Sequence, residues 1–66
     1  MQIQLNGETE TLAEGSSLLQ LVQKLDLEGK RIAVEINEEI VPRSEHGQTV
    51  LNEGDCVEIV HAIGGG

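Results

Sequence analysis

Polar and apolar residues alternate from the first positions of the chain. Gln2-Ile3-Gln4-Leu5 puts every second side chain on one face, the period of a half-buried strand. Asn6-Gly7 follows, a pair that accepts positive φ at both positions and so closes a tight hairpin, with Glu8 to Leu12 as the returning strand. After the break at Glu14-Gly15-Ser16 the period changes. Leu18, Leu21, Val22 and Leu25 fall at i, i+3, i+4 and i+7, one stripe along a helix. Ser17 and Gln20 have the spacing of a capping box, and Gly29 stands where a left-handed residue would end the helix. One short helix over Ser17 to Glu28 is predicted, with one face to bury.

The second half returns to strand patterning. Ile32 to Ile36 reads as a strand, Asn37-Glu38-Glu39 as a turn, and Ile40-Val41 as a brief strand stopped by Pro42, which has no ladder hydrogen to donate. Arg43 to Gln48 is polar, a loop or a single helical turn. Thr49-Val50-Leu51 returns to the body, and Asn52 to Asp55 turns the chain. Cys56 to Ile63 is the longest strand candidate. The order is β-β-α-β-β-β. A helix with one apolar stripe needs a sheet face beneath it, and Ile3, Leu5, Leu12, Val34, Ile36, Val57 and Ile59 supply that face. The first and last strands are expected side by side and parallel at the sheet centre. The fold class is α+β: a β-grasp, with a mixed sheet of about five strands and one helix packed on one face. Val60 alternates out of phase with Val57 and Ile59 and points away from the helix. Together with Ile63 at the strand's end it forms an expected docking patch on the uncovered face.

Composition narrows the function classes. The chain has 66 residues, enough for one small domain near the lower limit of unaided folding. With no Phe, Tyr or Trp, its core must be aliphatic. A single Cys rules out an intrachain disulfide and a Cys cluster for zinc, and suits a reducing cytosol. No apolar run approaches the roughly 20 residues of a membrane span, and no basic leader precedes the first strand. A cytoplasmic protein that does not enter a membrane is expected. Twelve Asp and Glu against four Lys and Arg give a net charge of −8. Nucleic acid is therefore a poor partner, while basic protein surfaces are favoured.

The candidate chemistry gathers at Gly64-Gly65-Gly66. A division into a domain over 1–63 and a flexible glycine tail over 64–66 is expected. Glycine has no Cβ, so such a tail can thread a narrow channel, and three extended residues reach about 10 Å. Elsewhere the chain offers little. His46 reads as a surface histidine and His61 as a strand histidine, neither with a nucleophile beside it. Cys56 reads as a small strand residue next to a turn, and no glycine-rich loop opens a helix in phosphate-binding fashion. The chain is therefore expected to be a co-substrate and not an enzyme, with the carboxylate of Gly66 as its reactive group. A carboxylate is a poor acyl donor until it becomes a mixed anhydride, most simply an acyl-adenylate made from ATP. The ATP and Mg²⁺ would be handled by the activating partner, with no cofactor or metal held here.

The chain resembles the ThiS family, the sulfur carriers of thiazole (thiamine) biosynthesis, which are ubiquitin-like β-grasp proteins. The resemblance covers almost the whole length. It is carried by Val34-Glu35-Ile36-Asn37-Glu38-Glu39-Ile40-Val41-Pro42-Arg43, by Gly54-Asp55 before the last strand, and by the glycine terminus. It implies adenylation of Gly66 by a ThiF-type enzyme and conversion to a thiocarboxylate with sulfur drawn from a cysteine desulfurase. It also implies delivery of that sulfur to a ThiG-type thiazole synthase, with Gly64 and Gly65 threading into partner active sites. Carriers of molybdopterin synthesis and ubiquitin-like protein modifiers share the fold and the glycine end and are the alternatives. Asn37 and Arg43 lie in the matching segment. Asn37 fits a turn and Arg43 a solvated charge, with partner docking by Arg43 as the functional reading.

Overall fold

A computed structural model describes residues 1–62 of the chain; the expectations for Ile63, Gly64, Gly65 and Gly66 lie outside them. Five strands and one helix follow in the order β1 (Gln2–Leu5), β2 (Glu8–Thr11), α1 (Leu18–Lys24), β3 (Ile32–Ile36), β4 (Glu39–Ile40) and β5 (Cys56–His61), with a 3-10 segment Arg43–Gln48 before β5. The sheet order is β2-β1-β5-β3-β4. β1 and β5 are parallel, with Gln4 opposite Cys56 and Leu5 opposite Val57, while the remaining pairs are antiparallel. This is the β-grasp expected from the hydrophobic pattern.

Asn6 and Gly7 both take positive φ, at 50° and 84°, which matches the twist of the two strands they join. The Ser17 hydroxyl accepts from the Gln20 amide at 3.1 Å, and the Gln20 side chain accepts from the Ser17 amide at 2.8 Å, so the capping box forms as read. Leu18, Leu21 and Val22 turn one face of α1 onto the sheet. They meet Ile3, Val34, Val57 and Ile59, with Leu12 and Leu51 closing the sides. Leu5, Leu25, Ile32 and Ile36 pack against this cluster half-buried.

Two boundaries differ from the pattern reading. Gly29 is left-handed as expected, at φ 83°, but the helix ends at Lys24, not near Glu28, and Asp26 at φ 60° is the left-handed residue that follows its cap. The Leu27 amide then reaches back to the Val22 carbonyl at 2.9 Å, which turns Leu27 onto the core beside Leu25. Burial of two leucines offsets the cost of an aspartate in that conformation. In the second hairpin Asn37 and Glu38 both carry positive φ, 51° and 73°, so the turn needs two residues. Glu39 thereby joins β4 opposite Ile36, and Val41 lies past the strand's end.

Candidate functional site

β5 carries the chain toward Gly64-Gly65-Gly66, and both of its neighbours fix it. On its β1 side, Gln4 and Asn6 donate their amides to the carbonyls of Asp55 and Val57, both at 2.9 Å. β1 then turns away into its hairpin, which would leave Ile59 without a ladder partner. The Asn6 carboxamide fills the gap. Its Oδ1 accepts from the Ile59 amide at 2.9 Å, and its Nδ2 donates to the Ile59 carbonyl at 3.2 Å. One asparagine thus serves as a hairpin corner and as one further rung of the parallel ladder.

The β3 side has a matching device at the other end of the strand. The Asn37 amide donates to the Cys56 carbonyl at 2.8 Å, and Asn37 Oδ1 accepts from the Cys56 amide at 3.0 Å. Asn37 Nδ2 also donates to Asp55 Oδ1 at 3.1 Å, while Asp55 Oδ2 accepts from the Asn52 amide at 2.8 Å. Asn37 takes the positive φ of its own turn, and its side chain braces the Gly54-Asp55 turn against it. Further along, Ile32 pairs with His61, and the Ala62 amide donates to the Arg31 carbonyl at 2.9 Å. The chain is therefore held in register on both sides as far as Ile59, and by β3 as far as Ala62. Residues 63–66 continue from that fixed point.

The uncovered sheet face is mixed in character. Val60 is 58% exposed, pairs with Ala33, and points away from the helix as its phase predicts. Its neighbour along the strand on that face is Glu58, directly opposite Glu35. Ile40, 71% exposed, lies across from Glu35 on the outer side. The two exposed aliphatics are thus separated by a pair of like charges, an unfavourable cross-strand arrangement in isolation. Among the described residues Val60 has only Ala33 as an apolar lateral neighbour.

Arg43 sits on the other side of the sheet. It borders a cleft floored by Leu19, Val22, Leu27 and Ile32, and its guanidinium donates to the Lys30 carbonyl. Val60 and Arg43 therefore do not share a face; they flank the same end of the sheet from opposite sides. His46 corrects the sequence reading: it is 4% exposed, not a surface residue. The 3-10 segment packs beneath α1, and His46 Nε2 lies 3.1 Å from the Val41 carbonyl, which fixes it as the donor. Nothing in the polar stretch Arg43–Gln48 marks which of its side chains turns inward. His61 is exposed at the end of β5, and Cys56 is an exposed free thiol. No group of three or more His, Cys, Asp or Glu among the described residues could hold a metal ion, and no described helix is long and apolar enough to cross a membrane.

Pattern reading also passed over Lys30 and Arg31. The signal was present: Lys30, Arg31 and Arg43 are three of the four basic residues in a chain of net charge −8. The fold brings them together through the Arg43–Lys30 hydrogen bond, next to the carbonyl that receives Ala62.

The model of the ThiS family matches residues 3–66. The sulfur carrier protein ThiS of Escherichia coli K12 is 33% identical over 66 residues, covering 100% of both chains. A thiazole synthase of Magnetococcus marinus is 42% identical over 66 residues, covering 100% of this chain and 20% of the relative. The chain spans about a fifth of the length of the thiazole synthases it matches. Among solved structures, the crystal structure of a thiamine biosynthesis protein (ThiS) from Geobacter metallireducens superimposes with a TM-score of 0.87 at 30% identity, covering 100% of each chain.

Proposed function

The chain belongs to the ThiS family and is a sulfur carrier protein, and from this premise we propose that the sulfur travels as a thiocarboxylate on Gly66 for thiazole formation in thiamine biosynthesis. In this reading a ThiF-type enzyme activates the Gly66 carboxylate. A carboxylate oxygen attacks the α-phosphorus of ATP, pyrophosphate leaves, and an acyl-adenylate forms. A sulfur nucleophile, supplied ultimately by a cysteine desulfurase, then attacks the carbonyl carbon. The new C–S bond replaces the C–O bond to phosphate, and AMP departs. Because desulfurase sulfur arrives as a persulfide, the product is an acyl disulfide, and a thiol then attacks its donor-side sulfur, releasing the thiocarboxylate on Gly66 and leaving a disulfide on the donor. A ThiG-type thiazole synthase accepts the sulfur. ATP and Mg²⁺ are the activating enzyme's substrates, and this chain contributes an acyl carbon unhindered by a side chain.

The end-to-end match to the Escherichia coli carrier is the observation that carries the reading. The thiazole synthases containing a stretch similar to this whole chain support a thiazole synthase as the acceptor, ahead of molybdopterin synthesis or protein modification. Gly64 and Gly65 thread the partner's channel in this proposal, while Val60, Ile63 and Arg43 meet the partner's surface around it. The test is intact-mass spectrometry after incubation with the activating enzyme, ATP and a sulfur source. Exchange of one carboxylate oxygen for sulfur adds about 16 Da, confined to the C-terminal peptide, and the new sulfur is alkylated as the nucleophile of a thiocarboxylate. Absence of that product with competent partners overturns the proposal, as does its formation on a chain lacking Gly66.

A further inference from the structure

Residues 63–66 span at most about 14 Å when fully extended. Any enzyme that acts on Gly66 must bring its surface within that distance of Ala62, because β3 and β5 hold Ala62 in place. The residues around that anchor point are therefore covered in every productive complex. They include Arg31, whose carbonyl receives the Ala62 amide, Lys30 beside it, and Arg43, whose guanidinium is tied to the Lys30 carbonyl.

This end of the molecule concentrates the chain's cations, although Glu28 lines the same cleft as Arg43. Three of four cations gather in a chain that carries twelve acidic residues. The remaining cation, Lys24, lies at the far end. It reaches the Thr11 carbonyl at 3.2 Å and pairs with Glu10 at 3.2 Å, and Thr11 stands opposite Gln2 at the start of β1. The side chains of Lys30, Arg31 and Arg43 are all exposed, and among the described residues the Lys30 ammonium has no carboxylate partner. Glu28, the acid nearest in sequence, has its carboxylate held by Gln23 at 3.3 and 3.4 Å.

We infer that Lys30, Arg31 and Arg43 form a cationic collar that docks against acidic side chains rimming the activating enzyme's channel, so that the carrier is oriented tail-first on encounter. This rests on the proposed activation at Gly66. The acidic remainder of the chain would repel such a rim in any other orientation, so the collar sets orientation as well as affinity. The occupant is a protein surface bearing Asp and Glu, not the nucleotide, because four residues of chain separate the collar from the reacting carbon.

The experiment uses the full chain and the activating enzyme of the same organism, with ATP–pyrophosphate exchange as readout. Lys30→Glu is expected to raise the KM for the carrier roughly three- to tenfold at about 0.05 M salt, with kcat unchanged. The difference should shrink toward 0.5 M salt as the Debye length falls to a few ångström. Lys24→Glu, which makes the same change of two charges at the far end, is expected to leave KM within about twofold, as a rim-independent charge should. Circular dichroism confirms that both variants fold. An unchanged KM for Lys30→Glu overturns the inference. So does an equal shift in both variants, which would mean bulk charge, or a shift in the KM for ATP, which would mean nucleotide contact. If the wild-type chain supports no exchange, the activation reading fails. The collar, whose occupant is the activating enzyme's surface, falls with it.

Discussion

Asn6→Gly isolates what the side chain of one turn residue contributes to β5. Glycine keeps the positive φ of 50° without strain, so only the carboxamide is lost. Two hydrogen bonds disappear, from the Ile59 amide at 2.9 Å and to the Ile59 carbonyl at 3.2 Å, both partly buried. At a net 0.5–1.5 kcal/mol each, the loss is about 1–3 kcal/mol. A domain of this length has roughly 3–10 kcal/mol in all. The variant should melt about 5–20 °C lower, given 4–8 °C per kcal/mol for domains of this size. With no Tyr or Trp to report by fluorescence, urea titration followed by far-UV circular dichroism is the assay. Asn6→Asp should fall between wild type and Asn6→Gly, because a carboxylate can accept from the Ile59 amide but cannot donate to its carbonyl. Hydrogen exchange at the Ile59 amide should quicken in both variants. A destabilisation under about 0.5 kcal/mol for Asn6→Gly, the range of an ordinary surface substitution, would refute the ladder-extending role.

Two further outcomes are expected. Leu21→Ala empties a site that is 0% exposed beneath α1, and should cost about 2–5 kcal/mol, which brings so small a domain close to half-unfolded in urea titrations at 25 °C. Val60→Asp, at a position 58% exposed, should leave the urea midpoint near wild type yet raise the KM for the carrier in ATP–pyrophosphate exchange, and an unchanged KM removes Val60 from the docking surface.

Most of the frame was legible because each signal had one structural solution. Asn6-Gly7 admits a tight hairpin, Ser17 with Gln20 admits a helix start, and one helical stripe over four short strands plus a long last one admits few packings. The second half of α1 was not legible, because Leu25 and Leu27 both pack on the core and periodicity alone does not say which residue bends the chain. An aspartate at φ 60° won that bend over the glycine three residues later. The burial of His46 was hidden for a similar reason: it depends on how a polar 3-10 segment seats under α1, not on any local pattern. At the site, the phase of Val60 was readable, whereas its separation from Ile40 by Glu35 and Glu58 required the register of three strands. The gathering of Lys30 and Arg43 required the hydrogen bond that joins them.

The strand order β2-β1-β5-β3-β4 has a consequence for folding itself. The hairpin of β1 and β2 and the hairpin of β3 and β4 share no ladder; among the described strands β5 is the one that both touch. β5 is also among the last segments in the chain, so Gln4 must wait for Cys56, and neither hairpin can complete its sheet during synthesis until the final strand arrives. Once in place, that strand cannot leave without dividing the sheet in two, so its opening approaches global unfolding. A partly folded chain therefore has no ordered base from which to present residues 63–66. The position of β5 thus makes an ordered base for residues 63–66 a property of the fully assembled sheet alone.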